Sequence, residues 1–514
     1  MVTRQIGEIS AGLAPSRDGA PFQLPLRLHV VGIGGTAATA AALHAAALGV
    51  QVTGCDRGLS PHTVSLLLAA GVRLTGEDDL SPLHGSNLVA ISKAITSTQP
   101  DHPQIRAAQS LNLPLISVQQ VIADAAATRG GDLLGVAGTH GKTTSTGWLL
   151  AALRASGRDP SAFVGGPLPE GEGSPPGSPV HLGTQPGFIV EADEYGGNFD
   201  PYAAHSALIL NADWDHPDIF ADRAAVVRTF VEWAGPVLRR GPVVVNVADL
   251  GGSEVAAALS GNDRGNLLTY AVRTHGRAET SLSASADVSA ELIEVGGGRV
   301  ALENLALNKR AVGLAPAAIQ MQGGRIPIAI PGAHSAENAL GVALLAASAG
   351  GSAPGILKAL ERFPGVGRRM EIRYDRGGIT ILDDYGHHPT AIDATISTVR
   401  LCYPGRTVVL AIEPLTYHRT AALLQPLARS CAAADRVLVA DIFAVRDIDL
   451  TVTSAQALAD AIGQHGVRAE ASGSVEATAD RLAQVIPPDA VVLVMGGGRS
   501  TEIATRLADR LGGA

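Results

Sequence analysis

Only four lysines occur in 514 residues, at positions 93, 142, 309 and 358, so nearly all positive charge is carried by arginine. Three cysteines, Cys55, Cys402 and Cys431, stand far apart with no C-x-x-C spacing. That excludes a disulfide framework and points to reduced, buried thiols in a cytoplasmic protein. No basic-then-apolar leader opens the chain, and no apolar run reaches the roughly 20 residues needed to span a bilayer. With a net charge of −9, neither nucleic acid nor a membrane is an expected partner. Hydrophobic residues make up 46% and charged ones 17%, which excludes a disordered chain. One core does not serve a chain of this length, and two to four domains are expected.

A further absence is local. GVAGTHGKTTST, Gly135 to Thr146, resembles the phosphate loop G-x-x-x-x-G-K-[ST], but Val136 stands where its first glycine belongs. The surrounding order is nonetheless right: a strand DLLGVAG, the glycine loop, and a helix predicted from about Lys142 to Ala155. Glycines let successive N–H groups converge on phosphate oxygens, a lysine neutralises charge, and a hydroxyl reaches Mg²⁺. The missing glycine mainly shapes the turn. Gly138, Thr139, His140, Gly141, Lys142, Thr143 and Thr144 are therefore expected to hold ATP, with Thr143 at the metal.

The remainder alternates strands and helices. LRLHVVGIGG, from Leu26, leads into an alanine-rich helix, and Gly32, Gly34 and Ala37 fit G-x-G-x-x-G/A with Asp56 at the next strand end. Such a turn suits a pyrophosphate at a helix N-terminus, with the acid available to a ribose or base; a purely structural turn or an NAD site fits the same residues. Further strands are predicted at NLVAIS, GFIVEAD, SALILNAD, PVVVNVAD, GITILDD, TVVLAIEP, RVLVADIF and AVVLVMGG. The proline- and glycine-rich stretch 167–183 reads as a mobile surface insertion. The expected fold is α/β with mainly parallel sheets in three domains. An N-terminal extension 1–25 precedes a Rossmann-like domain 26–128, a central P-loop ATPase-like domain 129–361, and a C-terminal Rossmann-like domain 362–514.

EADEYGGNF and NADWDHPDIF each end a predicted strand, and parallel strands ending side by side share a crevice. Glu191 is thus placed to bind Mg²⁺, a hard ion that prefers carboxylate oxygen, and His216 to serve a second metal or orient substrate. Arg368 and Arg369 are candidates to clamp a phosphate. DDYGHHPTAI sets Asp383, Asp384, Tyr385, His387 and His388 before a proline-started helix. Adjacent histidines point in different directions, which argues against a zinc site on that pair.

Taken together, HVVGIGG, GTHGKTT, EADE, DWDHPD, PGAHSAENAL, FPGVGRRME, DDYGHHPT and YHRT, spread from Leu26 to Leu511, resemble the Mur ligase family. The family's own loop begins G-T-x-G-K-T, which accounts for the displaced glycine. The resemblance implies a three-domain, ATP- and Mg²⁺-dependent enzyme of peptidoglycan precursor synthesis, a monomer or weak dimer that closes around its substrates. GIGG, GTHGKTT and DDYGHHPT look most like the branch joining L-alanine to the lactyl carboxylate of UDP-N-acetylmuramate. It implies UDP-sugar contacts at Gly32, Gly34, Gly35, Asp56 and Ser92, and metals around Thr143, Glu191 and His216. It also implies ATP contacts from Asn338, Arg369 and Asp384, and amino-acid contacts from Tyr385, His387 and Arg419. Lys142, Arg369 and His387 are the implied catalytic set. A carbamylated lysine used by several branches has no counterpart, since no lysine lies between Lys142 and Lys309. The chain departs from the family at Ser335, in place of an asparagine, and at Leu415 and Thr416, in place of a His-Arg pair near the amino-acid carboxylate. EADEY, HPDIF and HHPTA also resemble the branch that attaches a recycled tripeptide to the same sugar nucleotide, and a non-catalytic UDP-sugar and nucleotide sensor is a third reading.

Overall fold

A computed structural model describes residues 6–173, 175–261, 265–274, 280–444, 447 and 449–512. Its three sheets follow one another along the chain. The first has five parallel strands, ordered Arg73–Thr75, Gln51–Cys55, Arg27–Val31, Leu88–Ile91 and Leu115–Ser117. Arg27–Val31 is buried beyond its first residue, as a strand covered on both faces must be, and for that reason reads as an unbroken apolar run.

The central sheet has ten strands, and its middle is parallel. Leu133–Ala137 lies between Phe188–Ala192 and Ser206–Ile209, so the ends of all three open onto one crevice. Both edges turn antiparallel, through Val288–Gly296, Arg299–Leu307 and Ile326–Ile328 on one side and Ser161–Phe163 with Val180–His181 on the other. Pairing is mainly parallel, as expected, and the antiparallel edges add short or alternating strands that carry no long apolar run. The third sheet pairs Glu371–Arg376 antiparallel onto a parallel set running Ile379–Asp384, Ala490–Gly496, Thr407–Glu413, Arg436–Ala440 and Arg468–Gly473.

The segment 167–183 is not a loose insertion in its described residues. Leu168, Ser178 and Val180 are buried, the Leu168 N–H donates to the Ser178 carbonyl, and Val180–His181 closes the sheet edge. Proline and glycine there shape a turn around two apolar anchors. Cys55 and Cys431 are buried free thiols, whereas Cys402 is only half-buried.

The first and central sheets share one continuous apolar core, running from Leu28 and Leu43 through Phe163 and Phe188 to Trp233. Residues of the third sheet form cores of their own, with Trp214 the one central-lobe side chain packed against them among the described residues.

Candidate active site

Strand Leu133–Ala137 is buried throughout and delivers the chain into the loop Gly138–Gly141, after which helix Lys142–Ala155 begins. The helix docks by burying Trp148, Leu149, Leu150 and Leu153. Gly141 has φ +81°, and a Cβ there would meet the Asn338 side-chain nitrogen at 2.6 Å, so only glycine fits. Among the described residues, no protein acceptor takes the N–H of Gly141, Lys142, Thr143 or Thr144. Open donors at a helix N-terminus form an anion cradle. Asn211 at the neighbouring strand end latches the loop: its Oδ1 accepts the His140 N–H at 2.8 Å and its Nδ2 donates to the His140 carbonyl at 3.0 Å. No role for Asn211 follows from NADWDHPDIF by itself; its signal is a polar side chain at the end of an apolar strand beside the loop.

Lys142 reaches across the cradle mouth, with Nζ 2.9 Å from Glu194 and 3.4 Å from Asp193. Burial opposes its charge, but Glu194 and then Asp193 more than restore it, so the ammonium is held firmly protonated. Glu191 ends the adjacent strand beside the Thr143 hydroxyl; one carboxylate oxygen is sealed from solvent and has no hydrogen-bond partner. Burial pushes its carboxyl up to about 7 against the pull of Lys142. An orphaned carboxylate oxygen next to a hydroxyl is a donor set that fits a hard divalent cation. His216 stands with Asp193 and Glu194 in a second group whose ligand atoms lie within 4.8 Å of one another.

The third lobe faces this crevice with FPGVGRR and DDYGHHPT. Both Arg368 and Arg369 stack over the Tyr385 ring, at 5.1 and 5.2 Å. Arg368 is also tied to the Gly496 carbonyl and the Ser500 hydroxyl, while the Arg369 charge acts on Glu191. Asp384 is buried and accepts the N–H groups of Met370 and Gly386, joining two loops. His387 and His388 diverge as expected: the first donates from Nδ1 to the Tyr385 carbonyl at 2.9 Å, and the second reaches the Trp214 carbonyl at 3.1 Å. Arg419 is committed to a buried ion pair with Asp215. Burial alone would raise the Asp215 carboxyl, but Arg419 holds it well below the ordinary range. Four non-glycine residues with positive φ, His216, Arg368, Met370 and Thr416, line this junction, so backbone strain is concentrated there.

The first lobe's glycine turn is wired differently. The Gly34 N–H donates to Asp56 Oδ2 at 2.9 Å, a Cβ at Gly34 would strike that same oxygen, and Asp56 Oδ1 accepts the Gly58 N–H. Gly32 turns the chain at φ +75°, Gly35 caps the helix that follows, and Ser92 caps helix Lys93–Thr98 through the Ala94 N–H. Lys93, given no role by the sequence, is buried and donates to the carbonyls of Gly196 (2.7 Å) and Gly197 (2.9 Å) in the central lobe.

A three-lobed α/β architecture with an open phosphate cradle at a crevice lined from two lobes defines a nucleotide-handling protein. Residues 27–129 match the model described as Mur ligase family, catalytic domain, and residues 368–498 match Mur ligase, glutamate ligase domain; the cradle lies outside both stretches. The chain is 32% identical over 480 residues to a UDP-N-acetylmuramate–L-alanine ligase of Acidothermus cellulolyticus, covering 93% of each chain. It is likewise 32% identical to a protein of that name from Kineococcus radiotolerans, covering 94% of this chain and 97% of the relative. The chain therefore belongs to the Mur ligase family. In fold it is similar to a UDP-N-acetylmuramate–alanine ligase from Thermotoga maritima (TM-score 0.74, 22% identity, 95% of this chain and 99% of the other). It is also similar to a murein peptide ligase from Psychrobacter arcticus (TM-score 0.66, 24% identity, 95% and 99%).

Proposed function

We propose that the chain is an ATP-dependent ligase that joins L-alanine to the lactyl carboxylate of UDP-N-acetylmuramate. The observation that carries this reading is the near-full-length likeness, at 32% identity, to relatives bearing that activity in their names. Open cradle donors and a captive lysine support it. Residues 26–128 serve as the UDP-sugar lobe, 129–361 as the ATP lobe, and 362–514 as the lobe that brings the amine and closes.

A carboxylate oxygen attacks the γ-phosphorus in line; the bond to the β,γ-bridging oxygen breaks, leaving ADP and an acyl phosphate. Lys142, released from Glu194, and Arg369 stabilise charge on the transferring group. Thr143 and Glu191 would hold Mg²⁺, which neutralises phosphate charge when bound. The amine nitrogen of L-alanine then attacks the carbonyl carbon, and phosphate leaves. His387 takes the amine proton: its Nδ1–H is spent on Tyr385, leaving Nε2 as an acceptor, and burial followed by Arg419 pushes its pKa well down, so it is neutral at pH 7. Adenine and ribose lie near Asn338 and Asp384. Among the described residues no helix is long and apolar enough to cross a membrane, which is compatible with a cytoplasmic enzyme.

Phosphate release from ATP and Mg²⁺ that requires both UDP-N-acetylmuramate and L-alanine is the expected result. Release that requires the tripeptide in place of alanine transfers the chain to the murein peptide ligase activity. Binding of both nucleotides without amine-dependent release overturns the ligase. Lys142→Ala is expected to lower turnover by about 10³-fold, while calorimetry shows unchanged UDP-sugar affinity.

A further inference from the structure

One side-chain cluster is left over when these roles are assigned. His140 projects from the cradle loop toward Asp213, with Nε2 3.6 Å from Asp213 Oδ2; that nitrogen is sealed from solvent and has no hydrogen-bond partner. His388 approaches the same oxygen from the third lobe, with Nδ1 at 3.8 Å, and the two imidazole rings lie 4.5 Å apart. The three ligand atoms fall within 4.8 Å of one another. Bonds of roughly 2.0–2.2 Å from a tetrahedral zinc place ligand atoms about 3.3 Å apart, so a modest closure brings all three into range.

The surrounding contacts orient these groups as ligands. His388 gives its Nε2 hydrogen to the Trp214 carbonyl, which turns the Nδ1 lone pair toward Asp213; among the described residues the one protein donor to that lone pair is the Thr390 N–H, at 3.3 Å. Asp213 is fixed on both sides, Oδ1 accepting the Trp214 N–H at 2.8 Å and Oδ2 the Thr390 hydroxyl at 2.5 Å. Outer contacts of this kind set imidazole tautomer and carboxylate orientation in metal centres. Burial, then the neighbouring His140, pushes His388 down to about 4, leaving it neutral as a ligand must be. Two imidazoles and one carboxylate select a borderline ion such as zinc or cobalt(II) over magnesium. His387, the other member of the adjacent pair, takes no part.

We propose that His140, Asp213 and His388 form an inhibitory site for zinc or a similar transition-metal ion, whose occupation staples the third lobe to the phosphate cradle. Two ligands belong to the central lobe and one to the third, so the ion ties down the junction that must open for product to leave. Ion binding stands independently of the ligase reading, because it is measurable without turnover, whereas the inhibition rests on that reading.

The test titrates cobalt(II) into the full chain with saturating Mg²⁺ and no nucleotide. One ion is expected to bind, with the intense visible bands of a four- or five-coordinate centre, and zinc to displace it. His388→Ala and Asp213→Asn are expected to weaken zinc binding by about 100-fold or more. His388→Cys should keep cobalt and add a sulfur-to-metal charge-transfer band, which guards against mistaking misfolding for ligand loss. Zinc should slow turnover of the native chain and spare the His388→Ala variant relative to its own zinc-free rate. The absence of saturable binding, binding undiminished in both ligand variants, or binding abolished by His216→Ala alone would each overturn the site. Binding at these residues with no effect on turnover would overturn the staple.

Discussion

The two junctions of this molecule are built from different materials. The first lobe meets the centre through a shared apolar core, where the His44 and Phe188 rings lie 4.7 Å apart and the His44 imidazole bonds the Ala162 carbonyl. Beyond the Trp214 side chain, and Phe363 and Val366 where the chain leaves the central core, the third lobe meets the same centre through charge and hydrogen bonds: Arg419 on Asp215, His388 on the Trp214 carbonyl, Thr390 on Asp213. Apolar burial is non-directional and is lost only by exposing the whole face to water, so the first junction is suited to stay closed. Polar contacts can be exchanged for water or ligand one at a time, so the second is suited to open and close. The cradle lies at this second, polar junction.

Breaking the apolar junction should have the largest effect on stability. Phe188→Ala is expected to cost about 3–5 kcal/mol in the unfolding transition shared by the first two lobes, read by urea denaturation. Arg419→Ala leaves Asp215 buried and unpaired at the other junction, and a cost of about 3 kcal/mol is expected there. Here the readout is functional: a fall in turnover with UDP-sugar affinity intact, partly relieved by adding Asp215→Asn. Equal loss of UDP-sugar binding would erase the distinction between the junctions.

Lys93 sharpens the comparison through pH. Burial pushes its ammonium down to about 8, below the unfolded value, so between pH 8 and about 10.5 the unfolded chain holds a proton that the folded chain has released. The native chain should therefore gain on the order of 2–3 kcal/mol relative to Lys93→Met as pH rises through that window, with no change in the gap below it. A flat difference would mean that Lys93 is not buried as described. The smallest effect is expected at Thr416, a β-branched residue at φ +59°. Thr416→Gly should stabilise the third lobe by about 1 kcal/mol, the relief of strain exceeding the few tenths lost with its cap on the Arg419 N–H.

Much of this was legible without a structure. The strand–loop–helix order around Lys142 and the acids at the ends of parallel strands are short-range patterns, and they place Gly138–Thr144 and Glu191 at one crevice. Partner choice was not legible. Arg419 reads as a contact for an incoming carboxylate, yet it is paired with Asp215, 204 positions earlier in the chain. His216 reads as serving a second metal or orienting substrate, but the acids it groups with, Asp193 and Glu194, were given no role by the sequence. Asp56 fits a ribose contact, yet one of its oxygens holds the Gly34 N–H of the glycine turn and the other the Gly58 N–H of its own loop. Lys93 carried no distinguishing pattern at all.

The sequence by itself determined the strands, the glycine turns and the family, because apolar periodicity and backbone freedom are properties of neighbouring residues. Only the tertiary structure decided which charges meet and which junction is apolar and which polar. A buried ion pair or a three-ligand cluster depends on side chains brought together from distant segments, and no local pattern encodes that distance.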